Sequence, residues 1–182
     1  MQEAEEVLRF WFEEHGAKDW WGARPEFDRE IADRFSTTHA RLARGEGVTW
    51  RDRPTGRLAE IIVLDQFSRQ LYRNDGRAFA TDGMALVLAQ EAVAGRHDLG
   101  LSEAQRGFLY MPFMHSESIS IHEMGRPLFA ALGDAEGYLK SCDQHMEVLR
   151  RFGRYPKRNV ALGRPSTAEE IAYLAEIGDR MF

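Results

Sequence analysis

Apolar side chains return every three to four residues along most of this chain, the spacing of helices that each bury one face. Residues 3–15 carry Val7, Leu8, Trp11 and Phe12 on one side, with glutamates in the first turn, where the helix dipole favours them. Asp19-Trp20-Trp21-Gly22 reads as a loop whose tryptophans plug the core. Pro25 suits a first helical turn; Phe27, Ile31, Phe35 and Leu42 carry the next helix to about Arg44, and Gly45 and Gly47 stop it. A third helix opens at Pro54 and ends near Tyr72, before an Asn74-Asp75-Gly76 turn. A fourth, about 78–94, stops at Gly95. Ser102-Glu103-Ala104-Gln105 has the form of a capping box and starts the fifth, which Pro112 interrupts or ends. The sixth spans roughly 118–132, with a kink at Pro127. The seventh, about 135–152, lines up Tyr138, Leu139, Cys142, His145, Met146, Leu149 and Phe152 and ends at Gly153. A Pro/Gly-rich segment from Arg154 to Pro165 leads to a last helix, capped at Ser166-Thr167 and ending near Gly178. The expectation is an all-α chain of about eight helices in antiparallel pairs, forming a single domain over residues 1–182.

Within the third helix the apolar run Ile61-Ile62-Val63-Leu64 is followed by Asp65 where another hydrophobe is expected. Arg69 lies four residues on, and the face it shares with Asp65 also carries Leu58, Ile61, Ile62 and Tyr72, so the pair is expected to be buried. A buried charge costs several kcal/mol unless well paired. An i,i+4 pair of the exposed type returns only about 0.3–0.5 kcal/mol. Either further partners converge on Asp65, with Gln66 beside it, or a ligand does.

Three more polar clusters sit among apolar residues. In Tyr110-Met111-Pro112-Phe113-Met114-His115-Ser116-Glu117 the proline precedes a histidine and a carboxylate, which either cap freed backbone groups or form a general acid/base pair. His122-Glu123, with His115, Glu117 and His145, has the residue types of a metal set but no metal-motif spacing, and no metal is expected. Arg150-Arg151-Phe152-Gly153-Arg154-Tyr155-Pro156-Lys157-Arg158-Asn159 concentrates cations at Gly and Pro turns, either to hold an anion or to reach Asp65 and Glu117. His145 lies on an apolar stripe, the place of a satisfied core histidine.

The chain has 182 residues, 43% apolar and 29% charged, with a net charge of −5 that argues against a nucleic-acid partner. No run of about 18 apolar residues is present, so no membrane span is expected. The acidic start Met1-Gln2-Glu3-Ala4-Glu5-Glu6 lacks the basic region of a signal peptide. The single Cys142 precludes an internal disulfide, which fits a cytoplasmic location. There is no Gly-rich phosphate loop, nucleophile elbow or paired-cysteine zinc motif, and no cofactor is expected.

Taken together, several stretches resemble the bacterial family catalogued as domain of unknown function 924. They are Val7–Phe12, Trp20-Trp21, Leu64-Asp65-Gln66-Phe67 with Arg69, Arg77–Asp82, Phe108–Glu117, Arg151–Pro156, Arg158-Asn159, Leu162-Gly163-Arg164 and Ser166–Ile171. The resemblance covers nearly the whole chain and implies a tetratricopeptide-repeat-like helical superhelix. Glu123 and His145 fall where the family usually has an acid and a histidine. Ser68, Gln70, His122 and Lys157 depart from its usual Pro, Asn, Gln and His.

The combined expectation is a polar pocket for a small anionic ligand or an acidic peptide end, bound by Asp65, Gln66, Arg69, Tyr110, Arg154, Arg158 and Asn159. One alternative is a hydrolytic or acid/base enzyme using His115 or His145 with Glu117 or Glu123; another is a purely structural polar core. Exposed apolar helix faces leave room for a homodimer.

Overall fold

The computed structural model describes residues 2–22, 24–133 and 137–178. Ten α-helical segments and several short 3₁₀ turns appear among them, and no strand. Helix α1 (Gln2–Arg9) continues through a wider π-helical turn at Phe10–Glu14, followed by the short α2 (Ala17–Trp20) and the long α3 (Pro25–Leu42). The third predicted helix is continuous but composite. It comprises α4 (Pro54–Ile62), a π turn at Val63–Phe67 and α5 (Ser68–Leu71). Helices α6 (Asp82–Ala94), α7 (Glu103–His115), α8 (Ile119–Ala130), α9 (Tyr138–Phe152) and α10 (Ala168–Ile177) complete the chain. The predicted start of the seventh helix, near 135, lies outside the described residues.

Where capping chemistry was written into the sequence, the helices begin as expected. Ser102 Oγ accepts the Gln105 N–H and the Gln105 side chain returns to the Ser102 N–H; Thr167 and Glu170 do the same for α10. Pro112 does not end its helix: α7 runs one turn further, to His115. A mid-helix proline costs about 3 kcal/mol. Burying Phe113 and Met114, each nearly inaccessible, returns about 1.5–3 kcal/mol apiece. Trp20 stacks on Trp11 and donates its indole N–H to the Trp11 carbonyl at 3.0 Å, but Trp21 stays 41% exposed rather than plugging the core.

Helix α4 is the hub. Its Leu58, Ala59, Ile61 and Ile62 are fully buried and pack against α1, α6 and α7. The pairs α6/α7, α7/α8 and α8/α9 pack as successive neighbours, as in a repeat array. The α1/α4 and α4/α7 contacts join elements far apart in sequence, which a strict one-dimensional array lacks. One continuous apolar core runs from Ala4 to Met146, and Val148, Leu149 and Tyr155 form a smaller cluster at the end of α9. At the α7/α8 crossing Gly125 is required: a Cβ there would lie 2.6 Å from Phe113 Cβ. None of the described helices is long and apolar enough to cross a membrane.

Candidate functional site

Asp65 lies in the π turn and is completely buried. His115 Nδ1 stands 2.7 Å from Asp65 Oδ1, Arg69 Nη1 3.2 Å from the same oxygen, and Gln66 Nε2 donates to Oδ2. Burial alone would raise this carboxyl's pKa; the Arg69 charge and the His115 contacts outweigh it and hold the group well below the usual carboxylate range. The widened turn also leaves two carbonyls to side chains. Leu64 O accepts from Ser68 Oγ and Thr81 Oγ1, each at 2.6 Å, and Asp65 O accepts from Arg69. Ser68 in turn contacts His39 Nε2 at 2.7 Å.

Arg69 then forks onto Asp82, with both bonds at 3.0 Å, and Asp82 is approached by Arg158 Nη1 at 3.4 Å. A chain results that starts at the His115 imidazole and alternates in charge from there on: Asp65, Arg69, Asp82, Arg158. The Arg158 guanidinium lies over Phe79 at 4.5 Å and Tyr155 at 4.8 Å from the ring centroids. Burial, together with the Arg69 charge, pushes Arg158 below its ordinary pKa, whereas the better-paired Arg69 is raised by Asp65 and Asp82 against its own burial.

Around this chain stand three imidazoles. His115, at the end of α7, donates Nδ1–H to the ionised Asp65. Its Nε2 makes no hydrogen bond among the described residues and is not sealed from solvent. Burial is the largest influence on His115 and lowers its pKa, with Asp65 opposing, so the neutral form prevails at neutral pH. His122 is buried, with Nε2 3.0 Å from Ser116 O and 2.8 Å from Tyr155 Oη, while the Tyr155 hydroxyl donates to Met114 O at 2.7 Å. His145 donates Nδ1–H to Ser141 O at 2.7 Å and meets Tyr155 edge-on; burial lowers it to about 3.

The other predicted site residues are engaged elsewhere. Glu117 is clamped by both Arg164 nitrogens at 2.6 and 2.9 Å and accepts the Tyr155 N–H at 2.8 Å, so it is a fastening rather than a free acid. Arg154 forks onto buried Glu170, lowering that carboxyl to about 2, and Asn159 bonds Ser166 and Glu170 while accepting from Arg164. Tyr110 points away, donating to Asp98 at 2.6 Å, and Glu123 sits on the exposed face of α8. Neither Arg154 nor Arg158 reaches Asp65 or Glu117; Arg69 and Arg164 hold those acids instead. Among the described residues, three or more potential metal ligands gather only at Glu14, His15 and Glu30, away from this cluster, and Arg34 already bonds both glutamates.

A family model described as "Bacterial protein of unknown function (DUF924)" matches residues 7–178. The chain belongs to that family. It is similar to a solved structure titled as a protein of unknown function from Agrobacterium tumefaciens, with 36% identity, 95% of this chain and 97% of that chain covered, and a TM-score of 0.89. No curated protein matches the chain.

Within this DUF924 chain, the structure brings His115, Asp65, Gln66, Arg69 and Arg158 together, and adds Asp82, Tyr155, Arg164 and Glu170, which hydrophobic patterning did not single out. Asp82 and Arg164 lie inside the stretches that carried the family resemblance, which was the available signal. Two surface depressions lie elsewhere, along α9.

Proposed function

We propose that this protein binds a small anion, a carboxylate or phosphate group of a metabolite, at Arg158, with His115 Nε2 as the proton-accepting atom of the same cluster. The observation that carries this reading is the uneven pairing of the arginines. Arg69, Arg154 and Arg164 each fork onto a carboxylate, whereas Arg158 makes one long contact with Asp82. A partly buried guanidinium with unused N–H donors favours an added anion. Phe79 and Tyr155 hold it in place, so little side-chain freedom is lost on binding.

A second reading, proton-transfer catalysis on the bound anion, rests on the Asp65–His115 pair. A buried carboxylate fixing Nδ1–H leaves Nε2 as a base, the arrangement that orients catalytic histidines. His145, depressed to about 3, is too weak a base for that role at neutral pH. The single buried thiol suits a reducing cytoplasm, the location that goes with this reading.

A thermal-shift series with inorganic phosphate, small carboxylates and carboxylate-ended peptides tests the proposal. At about 100 times its Kd a ligand adds about 2.7 kcal/mol, or about 5–10 °C for a chain of this size. The shift is expected to vanish in Arg158→Ala. Retention of the full shift in that variant, or no shift with any anion, would refute the site. Peptide-only stabilisation would assign it to an acidic chain end.

A further inference from the structure

Two depressions flank the outer ridge of α9. One, of about 570 Å³, is lined in part by Ala130, Leu132 and Leu139; the other, of about 280 Å³, by Val148, Phe152 and Tyr173. Gln144 and Glu147 border both. Lys140 and Glu147 are exposed on this ridge and make no ion pair among the described residues. Seven residues apart, they stand two turns or about 10 Å from each other on one stripe, too far to pair within the helix.

The order of these residues is self-complementary. Lys140 and Glu147 are equidistant from the midpoint between Asp143 and Gln144, and so are Leu139 and Val148. When two copies of one helix pack antiparallel about a two-fold axis at that midpoint, equidistant positions face each other. Lys140 then meets Glu147 of the other copy, twice over. Gln144 can donate to the partner's Asp143, which already accepts from Arg126. Leu139 and Val148, nine residues and so about 180° apart on α9, line the two opposite flanks of this contact.

We infer that the protein forms a two-fold dimer through antiparallel α9 helices, whose ridges meet face to face with the apolar depressions on either flank. The occupant is a second copy because one helix carries both halves of each charge pair, and because the apolar linings flank those charges on either side. An unrelated partner would need only one half of the pattern.

Sedimentation velocity over a concentration series tests this. Wild-type protein is expected to dimerise. Lys140→Glu and Glu147→Lys, each placing two like-charge contacts at the interface, are expected to raise the dimer Kd at least tenfold, about 1.4 kcal/mol. An equimolar mixture of the two variants restores both pairs and is expected to dimerise as a heterodimer. The double variant K140E/E147K restores them within one chain and is expected to match wild type. Both positions are exposed, and a circular-dichroism melt confirms that each variant is folded. A wild-type chain that stays monomeric throughout overturns the inference, as does a dimer indifferent to the single reversals. So do reversals rescued by neither the mixture nor the double variant.

Discussion

Replacing His145 with glutamine is expected to flatten the acid limb of the stability curve. In the folded protein His145 faces Tyr155, and burial, with the Arg158 charge as a smaller cause, lowers it to about 3. In the unfolded chain it titrates at the ordinary 6.5. The unfolded state therefore binds more protons between these values. Stability is fully present above the unfolded pKa and is lost as pH falls through the window. From pH 7 to pH 5 the unfolded imidazole goes from mostly neutral to almost fully charged while the folded one stays neutral. Linkage then removes about 1.9 kcal/mol of stability for this one group.

Asp65, Glu117 and Glu170 are depressed carboxyls whose unfolded counterparts titrate near 4, so most of their contribution is lost below this range. His39, His115 and His122 are also lowered, mainly by burial, but they are common to both proteins and largely cancel in the comparison. Urea melts followed by circular dichroism at pH 7 and pH 5 give the loss for each protein. Wild type is expected to lose about 1.9 kcal/mol more than His145→Gln, whatever the variant's stability at pH 7. Equal losses, within about 0.5 kcal/mol, would refute the claim that His145 is held neutral by its surroundings.

Asp65→Ala is expected to destabilise the fold by about 3–5 kcal/mol, because it removes a buried partner from Arg69 and from His115 Nδ1 together. A urea midpoint at the wild-type position would show that the pair is not buried as described. Cys142 is fully buried, with its thiol pushed up to about 11 by burial, so an aromatic disulfide reagent is expected to leave native protein untouched and to label it in denaturant. Rapid labelling under native conditions would contradict that burial, and Cys142→Ala is expected to leave anion binding intact.

Helix locations were legible because a 3.6-residue period needs only local sequence. Phe27, Ile31, Phe35 and Leu42 mark the buried stripe of α3 and are all in the core. Asp65 was legible as a buried acid for the same reason. Its partner His115 lies 50 positions away, and periodicity shows which face is buried but not which distant face meets it. The Asp65–Arg69 pair, four residues apart, was legible and is present, whereas the alternative that cations of the 150–159 stretch reach Asp65 and Glu117 fails, because Glu117 is held by Arg164. Two other misplacements follow from helix geometry. Tyr110 lies five residues before His115, about 140° round α7, so it faces Asp98 instead. Glu123 follows buried His122 by about 100°, which turns it outward on α8. The π turns leave no compositional mark and were invisible.

The π turn at Val63–Phe67 gives this helix two angular frames. A regular helix advances about 100° per residue, and the extra residue in the wide turn offsets everything after it by about that angle. Upstream, the frame directs Leu58, Ile61 and Ile62 into the core; downstream, it aims Ser68 at His39 and Arg69 at Asp82. Removing a residue between 63 and 67 would restore an ordinary helix yet rotate one set out of alignment with the other. Chain length in this stretch is therefore as strictly specified as side-chain identity, in contrast to a surface loop, where a residue gained or lost is absorbed.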